Sequence, residues 1–139
     1  MAKVVRYCKL EEEHCGENCF DVSRPNVMSN PYTHIKSKKT LAKYVVGSRE
    51  EAVQLYELYF NEMLKLNKQF QDEWDRMYEA YKKYDTIYIG CYCHKGDLCH
   101  GDVIAKKLKQ RAIKEAIDKI KEKRIKTNED SLQRNSYLS

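Results

Sequence analysis

Apolar residues recur at every third or fourth position from Ala52 to Tyr81, through Tyr56, Tyr59, Met63, Leu66, Phe70, Trp74 and Met77. That spacing is one helix face. Ser48 and Glu51 form a capping box at its start: the Ser oxygen takes the Glu51 amide, and the Glu carboxylate reaches back to the Ser48 amide. Asn67 and Asp72 are break points, so the pattern predicts one long helix or two. Aromatics at helical spacing point to core packing before they point to a stacking platform for bases.

The flanking segments follow a shorter period. Lys3–Cys8 and Cys19–Ser23 are short β-prone runs and predict two strands, and Thr40–Val46 predicts a third strand or a lead-in. "TIYIGCYC" (Thr86–Cys93) is nearly continuous in β-prone residues, which suits a central strand covered on both faces. Arg24–Lys39 holds both prolines and shows no period; it predicts a long ordered loop, the kind that carries function in a compact domain. After a turn at His94–Leu98, the positions Ile104, Leu108, Ala112, Ile117 and Ile120 mark a helix over His100–Arg124. The fold class this predicts is α/β. It is a small Rossmann-like sheet of three to four strands, at least partly parallel, packed by helices and followed by a long C-terminal helix. One α/β domain is expected over residues 1–124, with a polar, frayed tail over 125–139.

Composition narrows the setting. A chain of 139 residues is long enough for one core of its own. No apolar run approaches the roughly 18 residues that span a bilayer, so no membrane partner is expected. "MAKVVRYCKLEEE" lacks the apolar centre of a secretory signal, which predicts a reducing, cytoplasmic location. There the six cysteines are thiols or metal ligands rather than disulfides. The net charge of +5 permits an anionic partner, but an ordinary solvated helix face is the favoured account of it.

The chemistry concentrates in "IGCYCHKGDLCHGDVIAKKL" (Ile89–Leu108), which holds three of the six cysteines, two of the four histidines and three of the five glycines. This is a strand–turn–helix unit, and in open α/β sheets ligands gather where strands end and helices begin. Cys99 and His100 fall at the helix start. Amides there lower a thiol pKa, and an imidazole exchanges protons near neutrality, so this pair is the candidate catalytic set. Gly101 allows close backbone approach of an anion. Asp102 either suits the first helical turn or positions a ligand hydroxyl. Cys93 and Cys99 are separated by five residues, but the position where the phosphatase Cys-x5-Arg loop needs Arg is Cys99, which rejects that reaction. If zinc is the cofactor, Cys91, Cys93, Cys99 and His100 are its ligand set, and Cys8, His14, Cys15 and Cys19 form a second group. The spacing is not the usual two-residue knuckle, and ligands on a central strand make a poor tetrahedral cage. Packing of Cys91 and Cys93 as small buried hydrophobes is the competing reading.

"CYCHKGDLCHGDVI" resembles the signature of domain of unknown function 4326, a family of bacteria and phages, whose usual form is C-W-C-x-P-x-x-C-H-G-D-x-L. That family also carries an Arg-Pro stretch leading to G-N-P-F, then a segment opening Ser-Arg-Glu-Glu-Ala. Here "SRPNVMSNPYTHI" and "SREEAV" occur in the same order. The resemblance spans Phe20 to Leu108 and carries over Arg24, Pro25, Asn30, Pro31, Cys91, Cys93, Cys99, His100, Gly101 and Asp102. Ser29 stands for the family's Gly, Tyr92 for its Trp, and the proline of the turn is absent.

The resemblance implies an α/β fold and a site, but no reaction. It also joins two loops that follow strands. If those strands are parallel, Arg24 and Asn30 reach the same sheet edge as Cys99 and His100. Arg offers a fork for phosphate and Asn can read a base or sugar edge. The expected partner is then a nucleotide-like or phosphorylated small molecule, bound or processed; an enzyme here would be a nucleotide or base hydrolase or transferase. Bracing of the long loop by Arg24 and Asn30 stays equally open. The alternative is a non-catalytic, zinc-stabilised or basic module that contacts nucleic acid or a partner protein, such as a phage-type host-interaction protein.

Overall fold

The computed structural model describes residues 2–14, 16–35, 42–93 and 96–138, with side chains through residue 126. Cys15, His94 and the start of the run Thr40–Val46 lie outside the described residues. In chain order the elements are β1 (Lys3–Cys8), β2 (Cys19–Asp21), β3 (Tyr32–Thr33), β4 (Tyr44–Val45), α1 (Arg49–Leu66), α2 (Lys68–Lys83), β5 (Thr86–Cys91) and α3 (His100–Leu138).

The α/β expectation holds. β5 is the middle strand of a parallel sheet in the order β1–β5–β2. Lys3 faces Thr86 and Cys8 faces Cys91 on one side; Cys19 faces Tyr88 and Asp21 faces Gly90 on the other. The apolar run places β5 there because both its faces are covered: Ile87, Ile89 and Cys91 are buried, and so is Gly90. β3, inside the segment expected to be a long loop, forms a separate parallel pair with β4, which lies in the run Thr40–Val46. Two strands end earlier than expected: the second stops at Asp21 rather than Ser23, and β5 stops at Cys91 rather than Cys93.

The long apolar stripe resolves into two helices. Asn67 closes α1 through its amide, which donates to the Met63 carbonyl, and opens α2 through Oδ1, which accepts from the Phe70 amide at 2.9 Å. One residue therefore caps both helices, and its extended backbone turns the chain. Phe60 of α1 then meets Phe70 and Trp74 of α2 edge-to-face, with centroids 5.0 and 4.9 Å apart. Ala52, Tyr56, Phe70, Trp74, Met77 and Tyr81 of the stripe are core, as expected; Tyr59 and Met63 are only partly buried, and Leu66 is exposed, because α1 ends there. The cap at Ser48 also differs in one partner. Ser48 Oγ accepts from the Glu51 amide, but Glu51 reaches back to the Gly47 amide rather than that of Ser48.

Residues 1–106 and 107–139 form two compact units. The first holds both sheets, α1, α2 and the opening turns of α3, with Val103 and Ile104 buried. In the second, Ile113, Ile117, Ile120 and Ile125 are exposed, so the apolar face expected to continue through Ile117 and Ile120 is not buried there. Among the described residues no helix is long and apolar enough to cross a membrane.

Candidate functional site

Because β1, β2 and β5 run parallel, their C-terminal ends share one edge of the sheet. The loop after β2, the turn after β5 and the first turn of α1 meet at that edge around a pocket of about 510 Å³. Arg24, Asn30, Cys91, Cys93, Cys99 and His100 all line it, so the two distant motifs do converge. Tyr32 and Tyr92 add aromatic surface, and Arg49 adds a second guanidinium.

The turn is built by its own side chains. The Cys99 amide donates to Asp102 Oδ2 at 3.1 Å, the Gly101 amide donates to Cys99 Sγ at 3.4 Å, and the Asp102 amide donates to the Cys99 carbonyl. Cys99 is thus the residue that caps α3, and Asp102 closes the cap from the third helical position. Three of the amides that the sequence offers to an anion, those of Cys99, Gly101 and Asp102, are thus already bonded within the turn. Gly101 makes room for a side chain rather than a ligand: a Cβ there would stand 3.1 Å from Arg6 Cδ. Arg6, 13% exposed, pairs with Asp102 at 3.3 Å and donates to the Asp97 carbonyl at 2.7 Å. Gly96, in the same turn, has φ +90°, a conformation that side chains rarely adopt.

β5 ends at Cys91 and the chain bends at Tyr92 and Cys93. The bend overturns the expectation of two cysteines on one straight strand. The sulfurs of Cys91, Cys93 and Cys99 lie within 4.8 Å of one another, with Cys99 Sγ 3.4 Å from Cys91 Sγ. This cysteine triad could hold a metal ion. The proton affinities within it are split. Hydrogen bonds from Cys91 and then Cys99 pull the Cys93 thiol well below the ordinary thiol range, and Arg49 adds to this. The Cys99 thiol is pushed up by its bonds to Cys91 and Cys93 and by burial, the reverse of what its place at a helix start predicts. Hydrogen bonds to the two neighbouring sulfurs, then loss of water, outweigh the weak pull of a few amides.

His100 is buried, and burial lowers its pKa. Its Nε2 lies 2.8 Å from the Val22 carbonyl, which can only accept, so Nε2 carries the proton. Nδ1 is then the lone-pair nitrogen of the neutral ring, 3.6 Å from Cys99 Sγ. Asn30 is buried and its amide works for the fold: Nδ2 donates to the Ala52 carbonyl at 3.2 Å, and Oδ1 accepts from the Tyr32 amide at 3.0 Å. Arg24 is half-buried, and desolvation lowers its pKa, while Cys93 acts the other way.

Two residues of this region carry signals that spacing alone does not read. Arg49 stands at the first position of α1, where a cation opposes the helix dipole, and its Nη1 donates to Cys93 Sγ at 3.5 Å. Arg6 is a charge inside a β-branched strand. Both are misplaced for local structure, and both are used by the turn after β5. Of the N-terminal group, Cys19 and His14 are engaged elsewhere: Cys19 Sγ donates to the His14 carbonyl, and His14 stacks on Tyr88, while Cys8, paired with Cys91 across the sheet, donates to the Tyr92 carbonyl at 3.8 Å.

A family model described as domain of unknown function (DUF4326) matches residues 5–110. No curated protein and no solved structure matches the chain.

Proposed function

The chain belongs to the DUF4326 family, and from that premise we propose that it binds a phosphorylated, nucleotide-like small molecule in the pocket at the C-terminal edge of the parallel sheet. The observation that carries this reading is the pair Arg24, in the loop after β2, and Arg49, at the start of α1, two guanidinium-bearing residues lining one pocket of about 510 Å³. A pocket of that size suits a nucleotide-sized ligand. Guanidinium forks match phosphate oxygens, and charge-assisted hydrogen bonds are worth the most where water is scarce. Tyr32 and Tyr92 offer flat surface for a ring, and Asn30 holds the wall on which Tyr32 sits. Cys99 and His100, the candidate reacting pair, line the same pocket. Cys99 is buried with its thiol proton held, so the geometry favours binding over turnover by a Cys99 thiolate.

The test is thermal shift followed by calorimetry with nucleotides, nucleosides and inorganic phosphate. Phosphorylated members should stabilise the protein and bare nucleosides should not. Arg24→Ala and Arg49→Ala should each weaken binding by about tenfold or more, one charge-assisted hydrogen bond being worth roughly 1.5–3 kcal/mol. Stabilisation that survives both substitutions would place the ligand elsewhere and end this reading.

A further inference from the structure

We propose that Cys91, Cys93 and Cys99 form a three-thiolate site for a thiophilic divalent metal ion of the zinc class, with the fourth coordination position facing the pocket. The inference goes beyond the anion-binding reading and does not depend on it.

The sulfurs come from three differently held positions: the last residue of β5, the bend beyond it, and the cap of α3. They lie within 4.8 Å of one another. Tetrahedral zinc with sulfur at about 2.3 Å separates its ligand atoms by about 3.8 Å, which side-chain rotation reaches from here. The surroundings are specific to thiolates. Each sulfur has its own N–H group from outside the triad: Arg6 Nη1 at 3.8 Å from Cys91 Sγ, Arg49 Nη1 at 3.5 Å from Cys93 Sγ, and the Gly101 amide at 3.4 Å from Cys99 Sγ. Thiols used only for packing need no such donors, because S–H groups are weak hydrogen-bonding partners. Three thiolates around a divalent ion leave a net charge of −1. The two guanidinium groups offset it, and the three N–H groups orient the sulfurs, as outer partners of metal ligands do.

Metal binding here is a proton exchange with no redox step: the ion replaces the protons still on the three thiols, and these pass to solvent. The pocket touches all three cysteines, so the fourth position opens on it. His100 lines the same pocket, with Nε2 fixed on Val22 and Nδ1 3.6 Å from Cys99 Sγ. Three protein ligands and one open position are the pattern of a site that takes a ligand rather than a closed structural knot.

The experiment uses the full chain, reduced and stripped with a chelator, titrated with cobalt(II) without oxygen. One equivalent should produce intense thiolate-to-cobalt charge-transfer absorption, and zinc should displace it. Cys93→Ser should weaken cobalt binding more than about 100-fold, beyond the effect of losing an outer partner. Cys19→Ser, outside the triad, should leave it unchanged. If Cys93→Ser does not fold by circular dichroism, X-ray absorption at the zinc edge of the loaded wild-type chain decides: three sulfur neighbours support the site, and two or fewer overturn it. Absence of charge-transfer absorption in the wild type, or its full retention in a folded Cys93→Ser variant, also overturns it. Nucleotide-induced stabilisation of the stripped chain reports on the anion pocket separately, so either reading can fail alone.

Discussion

The guanidinium of Arg49, in the first turn of α1, donates to the sulfur of Cys93, 3.5 Å away and on the far side of two helices and a strand in sequence. It also donates to the Leu98 carbonyl at 3.4 Å, so one side chain ties the helix start to both ends of the turn after β5. Arg49→Ala should therefore loosen that turn as well as weaken the binding of a phosphorylated ligand by about tenfold or more. The global cost to stability should be small, about 1 kcal/mol or less, because Arg49 is partly solvated. Calorimetry and urea denaturation on the same variant separate the two effects. Unchanged affinity would show that Arg49 serves the turn alone.

Gly90 leaves room for the ring of Tyr7. They face each other across β1 and β5, and a Cβ on Gly90 would stand 2.5 Å from Tyr7 Oη and 2.6 Å from its Cζ. The ring cannot retreat freely, since Tyr7 is buried and its hydroxyl contacts Cys19 Sγ at 3.2 Å. Gly90→Ala should cost roughly 1–3 kcal/mol by overpacking. Chemical denaturation measures this directly, and a variant as stable as the wild type would contradict the fit.

Asp102 can be tested as a cap against its alternative as a ligand group. Its two oxygens are held by the Cys99 amide and by Arg6. Asp102→Ala should lower stability by about 1–2 kcal/mol, the usual cost of losing a cap and a partly exposed ion pair. Affinity for a phosphorylated ligand should change much less than in Arg49→Ala. A large loss of affinity at unchanged stability would instead place Asp102 in the ligand's contacts.

Asp21 sets a pH dependence. Burial raises its pKa, but hydrogen bonds from Lys9 and Ser23 outweigh this and hold the carboxyl below its ordinary value. A carboxyl with a depressed folded-state pKa contributes stability above its unfolded pKa, about 4, and loses it as pH falls through the folded value. Its side chain is 51% exposed, so solvent screening limits the contribution to about 1 kcal/mol or less. Asp21→Asn should thus be less stable than wild type near neutrality, with the gap closing below pH of about 4. A gap that widens on acidification would reverse the sign.

Local patterns determined most of the elements. The three- and four-residue spacing from Ala52 to Tyr81, the Ser48 cap and the β-prone runs at Lys3–Cys8 and Thr86–Cys91 act through backbone geometry and near neighbours, so they are written in consecutive residues. The double cap at Asn67 belongs to the same class, and it chose two helices over one. The two loop motifs were also legible as parts of one site, because parallel strands must end on the same edge.

What only the tertiary structure decided is which groups hold charge at that edge. The bend after Cys91 gathers three sulfurs that a straight strand would keep apart. Thiol–thiol hydrogen bonds, joined by burial, then raise Cys99, and thiol–thiol hydrogen bonds lower Cys93 against its burial, where helix position alone predicts the reverse for Cys99. Asn30, a candidate reader of ligand edges, carries the bonds of its own loop, while Arg6 and Arg49 reach the turn from elements remote in sequence. Spacing along a chain encodes neighbours a few residues apart. Desolvation and charge pairing depend on what packs from elsewhere, and those terms set the chemistry of the cysteines at this sheet edge.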